Sequence, residues 1–255
     1  MQIKMNKILM YHSIGNEGIT EEGAQLYAVT LDNFRKQMEY IVGTVPLQGL
    51  RVSPLRGQTL QIGGDSPCVI TFDDGLIDNY TNALPILKEF GLTAYFFILV
   101  GKIGTSGYMS WGQIKELLGA GMVVGSHGMT HRILTVLSGK ELDYELRESK
   151  KILEDNLGCA VDYFSVPRGF CNKRILEKAK ELGYKAIFTS NPKDSDGYKF
   201  GRIPVRGNWS LGYFIRVLNN GLSFRDKTEE LIKKSSKRIL GAGYYDKIRT
   251  KILKK

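Results

Sequence analysis

Short apolar runs alternate with amphipathic segments along almost the whole chain. Residues 7–12 form one such run, ending in His12, and residues 69–72 form another. Residues 93–100 are apolar and aromatic without interruption, the pattern of a strand buried on both faces. Shorter runs at 122–125, 163–166, 186–189 and 203–205 read as further strands. Between them the period changes to that of a helix. Phe34, Met38 and Ile41 recur at i, i+4 and i+7 behind a capping Thr30. Ile77, Tyr80, Leu84 and Leu87 mark a second face, in which Pro85 predicts a kink or a restart. Ser110 opens a short helix to Leu118, stopped at Gly119 and Gly121. Ser138 opens a long one bearing Leu142, Leu146, Leu153 and Leu157, closed by Gly158. Asn172 caps a helix carrying Ile175, Ala179 and Leu182, stopped by Gly183, and two more helices are expected from Ser210 and Phe224. The Gly/Pro-rich residues 45–67 are expected to form a loop or hairpin region.

Strand followed by helix throughout predicts an α/β fold with a mostly parallel sheet, closed or nearly closed. A length of 255 residues suits one such domain, and no repeat or linker divides it. We take residues 1–255 as one domain with a basic, helical C-terminal extension from about 224 to 255. With 42% hydrophobic residues, a packed core rather than disorder is expected. Three scattered cysteines, Cys68, Cys159 and Cys171, point to reduced thiols rather than a disulfide framework. No signal-type apolar stretch and no run long enough for a membrane span is present, so a cytoplasmic protein is expected. The net charge of +10 is concentrated. From Asp226 to Lys255 there are 10 Lys or Arg against 4 Asp or Glu, which is +6 of the total. That suits contact with anionic lipid, placing the chain at the inner membrane face, or else a solvated helix surface. No nucleic-acid motif accompanies the charge, so nucleic acid is not an expected partner.

Chemistry gathers at two places. The run ending at Phe72 leads directly into Asp73-Asp74-Gly75, two acids at the carboxyl end of a predicted strand. Adjacent side chains on a strand point opposite ways, so the two acids have separate roles unless the chain turns there. One could bind a cation while the other handles a proton. The second place is Ser126-His127-Gly128-Met129-Thr130-His131, which carries two of the chain's three histidines just after a strand. Four-residue spacing predicts both imidazoles on one side of a helical turn, suited to a shared metal ion. Two histidines and one carboxylate leave coordination positions open, as a catalytic zinc requires.

Thr71-Phe72-Asp73-Asp74-Gly75 followed by His127 and His131 resembles the polysaccharide deacetylase (NodB homology) family, carbohydrate esterase family 4. The resemblance takes in Ser110-Trp111 and Phe164-Ser165-Val166-Pro167-Arg168-Gly169 and covers roughly residues 11–209. It implies a single distorted, partly open (β/α) barrel. It also implies a metal-dependent hydrolase that removes an N-acetyl or similar N-acyl group from an amino sugar in a polysaccharide, oligosaccharide or lipid-linked glycan. Carried onto this chain, Asp73 is the general base, and Asp74, His127 and His131 hold a divalent metal, usually Zn2+. Pro167 and Arg168 form the oxyanion motif, Arg168 through its backbone N–H, and Trp209 is a candidate sugar-stacking residue. Two departures stand out. The family's late histidine, the acid for the leaving amine, is absent, since no histidine follows His131. His12, in Met10-Tyr11-His12-Ser13, resembles an early Tyr-His of exopolysaccharide deacetylases that takes this role. Ser165 stands where many members carry an arginine that orients the base, and Arg202 or Arg206 could substitute. These departures leave open a carbohydrate-binding protein of the same fold without turnover.

Overall fold

A computed structural model describes residues 7–15, 24–43 and 68–222. The expected loop at 45–67 and the basic extension from 224 lie outside the described residues, as does the helix expected from Phe224. No helix among the described residues is long and apolar enough to cross a membrane.

Eight parallel strands form the main sheet. They are β1 (Lys7–Tyr11), β4 (Cys68–Phe72), β5 (Ala94–Ile98), β6 (Val123–Ser126), β7 (Tyr163–Ser165), β8 (Ala186–Thr189), β9 (Lys199–Gly201) and β10 (Ile203–Pro204). A two-residue parallel pair, β2 (Ser13–Ile14) and β3 (Ala28–Val29), lies beside it. The main sheet runs in the order β10-β1-β4-β5-β6-β7-β8-β9. Its two edges, β9 and β10, are consecutive in the chain and separated by Arg202 alone. One residue therefore bridges the seam of a nearly closed (β/α) barrel, as expected.

Helices surround the sheet: α1 (Leu31–Gly43), α2 (Leu84–Glu89), α3 (Trp111–Gly119), α4 (Gly139–Asp143), α5 (Ser149–Leu157), α6 (Lys173–Glu181) and α7 (Leu211–Asn220). The capping residues read from the sequence hold. Ser110 and Ser138 form reciprocal boxes with Gln113 and Glu141, and Asn172 and Ser210 accept from the amides of Ile175 and Tyr213. Pro85 marks a restart, with a π turn (Asn79–Ala83) giving way to α2. The long helix from Ser138 is likewise broken by a π turn at Tyr144–Glu148.

Strand alternation sorts the side chains. Leu9, Ile70, Phe72, Phe96, Val124, Phe164 and Ile187 face the helices in the main core. Ile8, Phe97, Tyr163, Ala186 and Phe188 pack together inside the barrel, with Val69, Tyr95, Val123 and Phe200 against them. Phe97 and Phe188 meet with ring centroids 5.0 Å apart, and Phe188 and Phe200 at 5.9 Å. The lower barrel is thus a filled aromatic core. Gly125 is the position that admits Phe97: a Cβ there would lie 2.6 Å from its ring and 2.9 Å from the Tyr163 carbonyl oxygen.

Candidate active site

Going two residues further along each inward-facing row, just past or at the strand ends, turns the barrel interior from aromatic to polar. Thr71 leads to Asp73, Gly125 to His127, Tyr163 to Ser165 and Phe200 to Arg202. All four of these successors are buried. Arg202, 1% exposed, donates from Nη1 to Asp73 Oδ1 and from Nη2 to Asp73 Oδ2, both at 2.7 Å. It also donates to Thr71 Oγ1 at 3.1 Å and to Ser165 Oγ at 2.7 Å, while Ser165 Oγ donates to Asp73 Oδ2 at 3.1 Å. Its guanidinium carbon stands 5.3 Å above the Phe97 ring. Burial alone would push the Asp73 carboxyl up. The Arg202 guanidinium outweighs it and holds Asp73 well below the usual carboxylate range.

Asp74 takes the other direction because the backbone turns sharply after Asp73. Asp74 and Gly75 both have φ 74. The Asp74 Oδ1 atom then lies 3.4 Å from Nε2 of His127 and 3.4 Å from Nε2 of His131. His127 Nδ1 is 2.9 Å from the Ser165 carbonyl oxygen. A carbonyl only accepts, so the proton sits on Nδ1 and leaves the Nε2 lone pair facing Asp74. Burial pushes His127 down to about 3, opposed by Asp73 and reinforced by His131 and Arg202. A neutral imidazole is the ligating form.

Asp74, His127 and His131 offer ligand atoms that all lie within 4.8 Å of one another. Donors about 2.0–2.1 Å from a tetrahedral ion sit about 3.4 Å apart, so the observed separations fit a shared divalent metal. The sequence expectation of a helical turn for the histidine pair is not met. His127 to His131 is a bent loop with Gly128 at φ 81 and His131 at φ 60. The loop, not a helical face, brings the rings to 5.1 Å.

Among the described residues, the non-glycine positions with positive φ are Asp74, His131 and Arg168 (φ 74, 60 and 59). Such conformations persist where the surroundings over-determine them, and they cluster at functional sites. Arg168 follows Pro167 at the end of β7, and Gly169 N closes the turn onto Val166 O at 3.0 Å. His12 follows β1. Its ring stacks on Tyr27 at 5.1 Å, and its carbonyl accepts from Asn79 Nδ2 at 2.6 Å. His12 Nδ1 is buried without a hydrogen-bond partner.

Known proteins resemble this chain in sequence and in fold. The polysaccharide deacetylase profile matches residues 62–187. YxkH of Bacillus subtilis, which its name places among polysaccharide deacetylases, is 30% identical over 216 residues, covering 81% of this chain and 74% of that protein. The chain belongs to the polysaccharide deacetylase family. The deacetylase is a hydrolase of carbon–nitrogen bonds other than peptide bonds. It is also 30% identical over 129 residues to the peptidoglycan-N-acetylglucosamine deacetylase of Bacillus cereus, which covers 49% of this chain and 58% of that one. The solved deacetylase PplD of Streptococcus pyogenes, in complex with acetate, superposes with a TM-score of 0.68. It is 25% identical and covers 84% of this chain and 97% of its own.

Of the remaining sequence candidates, Trp209 is only 7% exposed. Its ring lies 4.9 Å from Tyr213, and its carbonyl accepts from Asn33 Nδ2 at 2.9 Å. These contacts belong to the packing of α1 and α7, and no sugar-stacking role follows from them. Of the two arginines weighed for the base, Arg202 reaches Asp73. Its signal was available in the spacing, two residues beyond the inward-facing Phe200 of a strand, β9, that the sequence reading missed. Glu145 was missed altogether. It lies between Leu142 and Leu146 and is a buried acid on the helix face that carries those core leucines.

Proposed function

We propose that the deacetylase is metal-dependent and removes an acetyl or similar small acyl group from the nitrogen of an amino sugar, in a polysaccharide, an oligosaccharide or a lipid-linked glycan. The observation that carries this reading is the division of labour between adjacent acids. Asp74 converges with His127 and His131, while Asp73 is gripped by Arg202 beside them.

Asp74, His127 and His131 would hold a divalent ion, expected to be Zn2+, which would supply Lewis acidity for the acyl carbonyl and the attacking water. Asp73, ionised and fixed by two Arg202 bonds, takes the proton of that water. The backbone N–H of Arg168, after Pro167, donates to the developing oxyanion. His12 gives a proton to the leaving nitrogen as the carbon–nitrogen bond breaks, so that acetate and a free amine result. Asp73 afterwards releases the water's proton to solvent and His12 regains one from solvent, so both groups return to their starting states. His12 directly follows Tyr11, whose carbonyl accepts from Asp73 N at 3.0 Å, and this supports the nearness of His12 to Asp73. The acetate of PplD and the peptidoglycan named for the Bacillus cereus relative support the acyl group and the substrate class. A cytoplasmic protein contacting anionic lipid at the inner membrane face is part of the reading, supported only by the charge of residues 226–255.

The test is acetate release from free oligomers, nucleotide sugars and lipid-linked sugars bearing N-acetyl groups. Release is expected to stop with a chelator, return with Zn2+, and be lost in Asp73→Asn while that variant still binds Zn2+. Release that survives both the chelator and Asp73→Asn sinks the proposal.

A further inference from the structure

We propose that Glu145 is the positioning residue that sets the metal affinity of this site by holding the loop between the two histidine ligands. The inference rests on the reading of Asp74, His127 and His131 as metal ligands.

The loop is gripped from two sides. On one side, Val100 N donates to Gly128 O and Gly101 N to Met129 O, each at 3.0 Å. On the other side the loop's own donors converge on Glu145, which is 2% exposed. Its Oε2 accepts from Met129 N at 2.7 Å and from Thr130 N at 3.1 Å, and its Oε1 accepts from Thr130 Oγ1. Three donors from two consecutive residues end on a single side chain, immediately before His131. Gly128 makes the approach feasible, because a Cβ there would stand 2.9 Å from Glu145 Oε2.

The backbone of Glu145 is tied to the start of the same loop. Ser149 Oγ lies 2.6 Å from Glu145 O and 2.7 Å from Ser126 Oγ, and Gly128 N donates to Ser126 Oγ at 3.1 Å. Glu145 sits in the π turn Tyr144–Glu148, a helix irregularity frequent at functional sites. His131 at φ 60 is a strained residue that such a clamp can hold ready before any ion arrives. Groups that orient ligands in this way typically change metal affinity by about 10–100-fold when removed.

The experiment measures Zn2+ affinity of the full chain by competition with a chromophoric chelator, alongside the absorption spectrum of the Co2+-loaded protein. Glu145→Ala is expected to weaken Zn2+ binding by about 10–100-fold and to alter the Co2+ bands. Glu145→Gln keeps an oxygen where the two amides point, and is expected to recover most of the affinity. A folded Glu145→Ala variant with undiminished affinity overturns the proposal, since a purely structural role lowers stability alone. Should Glu145→Ala not fold, Thr130→Val decides, because it removes one of the three bonds. Weaker binding there supports the clamp, and unchanged binding overturns it. Failure of the underlying reading looks different: Zn2+ uptake would be absent from the unaltered protein, or insensitive to Asp74→Ala.

Discussion

Asp73 and Asp74 are chemically identical neighbours, and the backbone alone assigns them different work. Asp73 continues the inward row of β4 and meets a guanidinium, whereas Asp74 turns out at φ 74 toward two imidazoles. His12 is the third residue whose role depends on placement, with its ring against Tyr27 and its carbonyl tied to Asn79. If it protonates the leaving nitrogen, its importance must scale with how badly the leaving group needs a proton. His12→Gln is therefore expected to slow hydrolysis of an N-acetyl sugar by about 10²–10⁴-fold. Hydrolysis of an aryl acetate, whose phenolate departs unprotonated, should be nearly unaffected. Equal losses on both substrates would remove His12 from the acid role and leave it a packing residue.

At the level of elements, Gly125 shows how the barrel's aromatic filling depends on a missing side chain. Gly125→Ala drives a methyl to 2.6 Å from Phe97 and 2.9 Å from a backbone carbonyl, which cannot swing aside. The expected cost is about 1–3 kcal/mol, with a Tm lower by about 2–4 °C per kcal/mol. A Tm matching the unaltered protein would mean the barrel interior has slack that the contacts do not show. Helices and inner strands were legible because their signals are local. Caps at Ser110, Ser138, Asn172 and Ser210 and the apolar runs of β4, β5 and β8 depend on residues within a few positions. The His127–His131 loop was misread as a helical turn because i, i+4 spacing is shared by any compact turn. What shapes it is Glu145 and the 100–101 backbone, distant in sequence. The short strand β9 escaped for the same reason. Its three half-buried residues, Lys199–Gly201, carry no apolar run, and only pairing with β8 makes them a strand.

For the whole molecule, the residue that orients Asp73 is also the one that spans the seam of the barrel. Arg202 N donates to Thr189 O at 3.0 Å on β8, its flanking residues join β9 to β10, and its side chain reaches Asp73 on the far side of the interior. Fold closure and the Asp73 charge are thus coupled, and pH should expose the coupling with a definite sign. In the folded protein Asp73 lies below its unfolded value of about 3.9. Its contribution to stability is therefore present above that value and lost as pH falls through the folded pKa. Arg202→Met removes the partner and leaves desolvation to dominate, so the folded Asp73 should rise above the unfolded value and the sign should reverse. The variant is expected to be about 3–5 kcal/mol less stable at neutral pH, from an unpaired buried charge. The deficit should shrink as acid protonates Asp73. Denaturant unfolding of both proteins from pH 7 to pH 4 measures the gap directly. A gap that narrows on acidification identifies the buried charge as the source of the loss. A gap that stays level across this range would place the stabilising role of Arg202 in its backbone and packing at the seam, with the ion pair serving the chemistry alone.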